Sequence, residues 1–374
     1  MNIDDFEKRL KEALPELKNI NTYLTQISKI NQDLTKTDLS NIGKKSFTTA
    51  SKYGKSATDY LSDVQDMFSA GYKNSEALAE LSLSAQNAGD MTAEIANRMI
   101  IATDTAYNME GSVKKLTEAL DGINVICDNN NITMSDLSEG MSIVGTTAAS
   151  IGVDVSQLTA ALATMASATH QSGADVANTF KTILLNIKQV SDEEEGINAN
   201  GLAKYEKACN ALGVSLKETK NGISQTRDAM DVLEDLSKAY NKLSSNDVRK
   251  ENLLSSLGEK SQATQFDALL THYEDTYKLL LEQFADGQGT MAKEAQISTS
   301  SWEGSLNRLS NTWTNTVYNI TDSDAIVTAV NALNSLLTVA NKFTNLIGSW
   351  GSIGIVSGLF FGKGESKQRF CPIW

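Results

Sequence analysis

Ile132–Gly152, ITMSDLSEGMSIVGTTAASIG, runs directly into Val153–Gly173, VDVSQLTAALATMASATHQSG, and the two stretches align with a period of 21 residues. Ser135 pairs with Ser156, Leu137 with Leu158, Met141 with Leu162, Val144 with Met165 and Gly152 with Gly173. Each stretch opens on a capping residue with a polar partner three positions on, Thr133 with Asp136 and Asp154 with Gln157. At that spacing each side chain reaches the other's backbone N–H. Each stretch closes on a glycine suited to a left-handed cap. One helix and one turn per unit is the expectation. Whether the pair is an internal duplication or an ordinary helical hairpin stays open, because solenoids need three or more units.

The same punctuation spreads outward. Gly71, Gly89, Gly111, Gly122, Gly140 and Gly196 recur, often after apolar-periodic segments, as helix C-caps would. Residues 53–197 therefore read as a compact array of short helices. The chain has 374 residues and only two prolines, Pro15 and Pro372, so its long middle lacks the strongest helix breaker. With 41% apolar and 21% charged residues the composition suits a folded or rod-like chain. The fold class expected is all-α.

Near the N-terminus Ile3, Phe6, Leu10, Ala13, Leu17, Ile20, Leu24, Ile27, Asn31 and Leu34 alternate steps of three and four. That is a coiled-coil seam with Asn31 at an a-type position, where a polar side chain fixes register. The phase survives Pro15, at an outer position, so a kink or helix restart is expected there. The alternative to self-association is an amphipathic helix packed on its own domain. Residues 41–55, rich in Gly, Ser, Thr and Lys, read as a connection, and the acidic run Asp192–Glu195 as a solvated loop. Helical periodicity returns with Leu202, Tyr205 and Cys209, then Leu233, Leu236 and Tyr240, then Phe266, Leu269, Tyr273 and Leu280. A further seam comes after these with Ile326, Val330, Leu333, Leu337, Ala340 and Ile347. The organisation expected is a heptad helix and linker over 1–46, a compact multi-helix core over 47–200, a second region of long helices over 201–345, and a Gly-rich apolar segment with an irregular tail over 346–374.

Catalytic equipment is sparse. The chain carries 33 basic against 46 acidic residues, a net charge of −13, which disfavours sequence-specific nucleic-acid binding. Cys127, Cys209 and Cys371 are odd in number, widely spaced and without CxxC spacing, so no disulfide or zinc framework is implied. His170 and His272 have no ligand-spaced companions. Gly287, Gly289 and Ala292 fit a loosened dinucleotide fingerprint but come after a helical segment rather than a strand. Asp128, Asn130 and Glu139 mimic part of a calcium loop, yet Ile132 and Thr133 sit where an oxygen ligand and a glycine are needed. No catalytic, cofactor-binding or metal-ligating residue is assigned. The N-terminus lacks a basic cluster before an apolar run, so no secretory signal is read and synthesis in a cytoplasm is expected. Phe343–Gly362 is twenty residues without a charge. Trp350, Ile353, Ile355, Val356, Leu359, Phe360 and Phe361 make it a candidate for membrane contact, against which its five glycines lower helix propensity.

Several ordered stretches resemble the phage tail tape measure family. Tyr53–Gly54, Met67–Gly71, Ala77–Met91 and Ala102–Thr103 look like the opening of that family's core. The Gly152/Gly173 pair with Val176–Leu185 looks like its centre. Ala211–Val214, Leu233–Leu243, Leu257–Lys260 and Phe266–Leu270 resemble its second half, and Ser301–Leu309 resembles the segment after it. The resemblance spans roughly residues 50–320. It implies a helical, self-associating ruler that fills the lumen of the growing tail tube, sets tail length and leaves ahead of the genome at infection. The partners implied are further copies of itself, the tail tube protein, tail assembly chaperones and distal tail proteins, with transient host-membrane contact. The location implied is the virion tail lumen after synthesis in the host bacterial cytoplasm. Members are usually much longer, so a truncated, frame-shifted or prophage-encoded form is expected. The rival reading is a membrane-active, pore-forming or envelope-penetrating protein acting through 343–362.

Overall fold

A computed structural model describes residues 3–188 and 199–321. The architecture is all-α: among the described residues 77% are helical, in sixteen α-helices, with one two-stranded sheet. Contacts divide the chain into two compact units, residues 1–314 and 315–374.

Helix α1 (Ile3–Ile30) runs through Pro15 without the restart expected there. The prolyl ring lies on the exposed face, clear of packing. Asn31, expected at an a position inside the seam, instead lies just past the helix end. Its N–H bonds the Ile27 carbonyl at 2.9 Å and its Oδ1 accepts the Asp33 N–H at 3.2 Å, so it turns the chain.

Residues 41–55, read as a connection, are mostly helix: α2 spans Lys36–Lys52. Thr35 and Asp38 form a capping box at its start, and Ile42, Phe47 and Ala50 are buried along one face. Two of its hydroxyls bond carbonyls three residues back, Ser46 Oγ to Gly43 O at 2.7 Å and Thr48 Oγ1 to Lys45 O at 2.9 Å. Local bonds of that kind let a loop-like composition remain helical.

Next come α3 (Ala57–Ser69), α4 (Ser75–Ala88), α5 (Ala93–Tyr107), α6 (Val113–Asn129), α7 (Met134–Ile151), α8 (Val155–Thr169) and α9 (Gly173–Lys188). Both capping boxes expected in the 21-residue pair are present, Thr133 with Asp136 and Asp154 with Gln157. Gly152 ends α7 in the left-handed region at φ 96°, as expected. The second unit differs: His170 takes the left-handed cap at φ 54°, and Gly173 instead opens α9. A methyl group at Gly173 would run into the Asp136 carbonyl, so this glycine is required by close approach between α9 and the start of α7. Gly122 and Gly140 likewise lie inside α6 and α7 rather than at their ends.

The second half carries α10 (Ala199–Ala211), the hairpin β1 (Lys217–Lys220) and β2 (Ile223–Thr226), then α11 (Ala229–Asn241), α12 (Val248–Ser255) and α13 (Lys260–Thr271). The hairpin departs from the all-helical expectation for this region. Asn221 and Gly222, at φ 54° and 78°, form its two-residue turn. Asn-Gly is the pair that a turn with two positive φ values favours. A π-helical turn, Tyr273–Tyr277, leads into α14 (Lys278–Asp286), α15 (Thr290–Thr299) and α16 (Trp302–Thr321). One continuous apolar core joins both halves, taking Phe180, Ile183 and Leu184 from α9 together with Tyr205, Leu233 and Phe266. The acidic run 192–195, the seam from Ile326 onward and the apolar segment 343–362 lie outside the described residues.

Candidate functional site

The seam assigned to self-association turns inward. Ile20, Leu24 and Ile27 are buried within the single chain, where α1 packs on α3 and α2. Leu17 is half-buried. Along this stretch the seam faces the chain's own helices. The side chains of Ile3, Phe6 and Leu10 lie outside the described set, as do Trp350, Ile353, Ile355, Val356, Leu359, Phe360 and Phe361. Among the described residues no helix is long and apolar enough to cross a membrane.

The dinucleotide-like and calcium-loop-like motifs resolve into joints between helices. Gly287–Met291, the loosened dinucleotide fingerprint, wraps around the Asp121 carboxylate of α6. Gly289 N–H donates to Asp121 Oδ2 at 2.8 Å and Met291 N–H to Oδ1 at 3.1 Å. A protein carboxylate thus occupies the N-terminus of α15, where a phosphate would sit in a nucleotide site. Asp128, from the calcium-loop mimic, shares the Asn124 amide with Glu294 of α15, at 3.3 and 2.9 Å. Burial, reinforced by Asp128, lifts the Glu294 carboxyl to about 7. Among the described residues no group of three or more His, Cys, Asp or Glu could hold a metal ion.

His170 and His272 stand apart at the ends of α8 and α13. His170 meets Asn131 Nδ2 at 3.5 Å and His272 meets Asp275 Oδ1 at 3.6 Å. Burial pushes the Cys209 thiol up to about 12 and the Cys127 thiol higher still. Both are thereby kept as thiols rather than nucleophilic thiolates at neutral pH.

A buried carboxylate at the α3–α4–α5 junction escaped sequence reading. Asp63 accepts from Gln86 Nε2 at 2.8 Å and Asn97 Nδ2 at 2.9 Å, and Asn97 also donates to Asp66 at 2.9 Å. Desolvation raises Asp63 to about 7, with Asp66 and Asp59 adding to the rise against the two amide bonds. The available signal was its position on the apolar face, three residues after Tyr60 and four before Met67. Beside it an open groove of about 630 Å³ runs between α3, α5 and α7, with Asp66, Glu94, Arg98, Ile101 and Met141 in its walls.

Helix α16 is the most unusual surface. Within 302–314 its inward face is polar or small. Gly304, Asn311 and Thr314 are buried. Asn311 Nδ2 donates to Lys55 O at 2.7 Å and Ser51 Oγ at 3.1 Å, while its Oδ1 accepts the Ala57 N–H at 3.2 Å. Asn307 Nδ2 donates to Gly54 O at 2.8 Å. The opposite face presents Leu306 and Leu309, 47% and 67% exposed.

Compared with known proteins, residues 44–258 match the model of a family described as phage-related minor tail protein. No solved structure matches the chain.

Proposed function

Because this chain belongs to the phage-related minor tail protein family, we propose that it is a tape measure, a structural ruler and scaffold within the tail tube that sets tail length and is ejected ahead of the DNA. The supporting observation is the family match over 44–258, which falls on a mainly helical body in which Asp121 and Asp63 serve as joints between helices. A scaffold needs rigid helices and surfaces for partners, and it needs no cleft. The same reading assigns the chain no catalysis. It gives the tube protein, tail assembly chaperones and distal tail proteins as partners, with several copies acting together in the tail lumen.

Tail length tests this reading. An α-helix rises about 1.5 Å per residue, so one unbroken helix of this chain would reach about 560 Å. Deleting residues 325–345, three whole heptads, shortens assembled tubes by up to about 30 Å if that stretch is part of the ruler. Electron microscopy of tails built with the intact and deleted proteins compares the length distributions. Unchanged lengths in well-formed tails would remove the stretch from the ruler.

A further inference from the structure

The open groove of about 630 Å³ between α3, α5 and α7 holds, towards the beginning of α5, two acceptors that the chain leaves unused. Asn97, 3% exposed, lines it and spends both hydrogens of Nδ2, on Asp63 Oδ1 and Asp66 Oδ2, each at 2.9 Å. That bonding fixes the amide, because turning it over would set its oxygen against two carboxylates. Its Oδ1 has no hydrogen-bond partner. A buried acceptor left in this way costs free energy. Asp66 lies half-buried beside it, and among the described residues its carboxylate meets this amide and takes part in no ion pair.

We propose that this corner of the groove receives a primary alkylammonium group, the side chain of a lysine carried by a partner polypeptide. An ammonium carries three donors on one compact charge and no acceptor. It therefore bonds the Asn97 oxygen and the Asp66 carboxylate together and supplies the charge that Asp66 lacks. A guanidinium suits the place less well. Its planar fork matches both oxygens of one carboxylate, and one Asp66 oxygen is already taken by the Asn97 amide. The chain's own Arg98, in the wall of the same groove, pairs with Glu94 at 2.6 Å rather than with Asp66.

The rest of the groove says how the group arrives. Ile101, Ala102 and Met141 supply an apolar wall, on which the methylenes of a lysine lie while its head stays on polar groups. The remaining polar lining, which includes Thr105, Ser142 and Thr146, carries no further acid, so a free diamine finds no second carboxylate for its other end. The groove is also open along its length, whereas small-molecule sites enclose most of their ligand. A side chain delivered by a polypeptide, with further contacts outside the groove, fits it better than a free amine. Charge agrees with a basic partner: Glu94 and Arg98 cancel, Asp66 is left in excess, and the chain as a whole carries −13. The proposal goes beyond the ruler reading and does not rest on it.

Methyl NMR of the full chain, labelled at methionine and isoleucine, tests it. The probe is a lysine residue blocked at both backbone ends, titrated at constant ionic strength. It is expected to shift the Met141 and Ile101 methyl signals and to saturate in the millimolar range, as befits one side chain without its partner. Tetramethylammonium has the same charge but no N–H donor and should leave both signals in place. Asp66→Asn should weaken the lysine probe at least about tenfold, with circular dichroism unchanged because the side chain is only half-buried and its amide oxygen can still accept from Asn97. The comparison of the two cations on the wild type decides the matter even if that variant fails to fold. Putrescine separates the sources: binding no tighter than the lysine probe supports a partner's side chain, and binding at least about tenfold tighter assigns the groove to a free amine and overturns the proposal. Signals that do not move with the lysine probe, or that move equally with tetramethylammonium, overturn it as well.

Discussion

Helix α1 rests on α3 and α16 on the turn that leads into it, yet the two turn opposite kinds of face inward. On α1 the aliphatic residues Ile20, Leu24 and Ile27 go inward, while Thr22 and Thr25 face solvent and bond their own helix carbonyls at 2.9 and 2.7 Å. On α16 the asparagines go inward and the leucines outward. The floor explains the difference. Helix α3, on which α1 packs, carries buried apolar residues that include Leu61 and Val64. Where α16 crosses, it meets the beginning of α3 and the turn before it, where Gly54 O, Lys55 O and the Ala57 N–H need partners. Helix ends leave such groups unbonded, and a buried one is costly. Amphipathic patterning reveals two faces, and the unsatisfied backbone of a neighbour can decide which of them is buried.

The sharpest way to break this comparison is to place the same charge on each helix. Ile27→Asp should lower stability by about 4 kcal/mol or more in urea unfolding, because it buries an unpaired carboxylate where exposure is 0%. A change below about 1 kcal/mol would show that α1 is not packed as described.

The floor itself carries the next effect. Asp63 of α3 titrates at about 7 when folded against an ordinary 3.8, so the folded state holds more protons between these values. Stability is then greatest below about pH 4 as far as this group is concerned. It falls as pH rises towards 7 and is flat above, by on the order of 2–4 kcal/mol. Asp63→Asn should flatten that part of the profile of melting temperature against pH. An unchanged slope would mean that Asp63 ionises freely.

Asn311→Ala tests the polar side of the comparison. It strips the Lys55 carbonyl and the Ala57 N–H of their partner and should cost about 1–3 kcal/mol. The smallest effect belongs to Leu309→Ser, which should change monomer stability by no more than about 0.5 kcal/mol in the same urea assay. A larger loss would mean that the leucine is covered within its own chain.

Much of the helical scaffold was legible because its signals are local. Thr133 with Asp136 and Asp154 with Gln157 bond within four residues, and neighbours cannot easily override them. The unread parts depend on distant chain. Helix α2 looked like a linker because burial of Ile42, Phe47 and Ala50 against other helices, which local composition does not report, makes it worth forming. The role of Gly173 depended on Asp136 of another helix, and that of Asp121 on residues about 170 positions away. Asn221-Gly222 was a local signal and could have been read as a hairpin turn. Of the seam, spacing identified the apolar side correctly, but no spacing rule distinguishes a partner helix from another chain and one from the same chain.

The Asn311 joint also has a mechanical meaning. Most caps in this protein close loops of three residues, whereas Asn311 ties together positions 254 and 256 apart in the chain. Local caps feel almost no tension when a chain is drawn out lengthwise. Force applied between α16 and the start of α3 would instead act directly on the Asn311 bonds. A tie that spans so much chain bears load that the local caps do not.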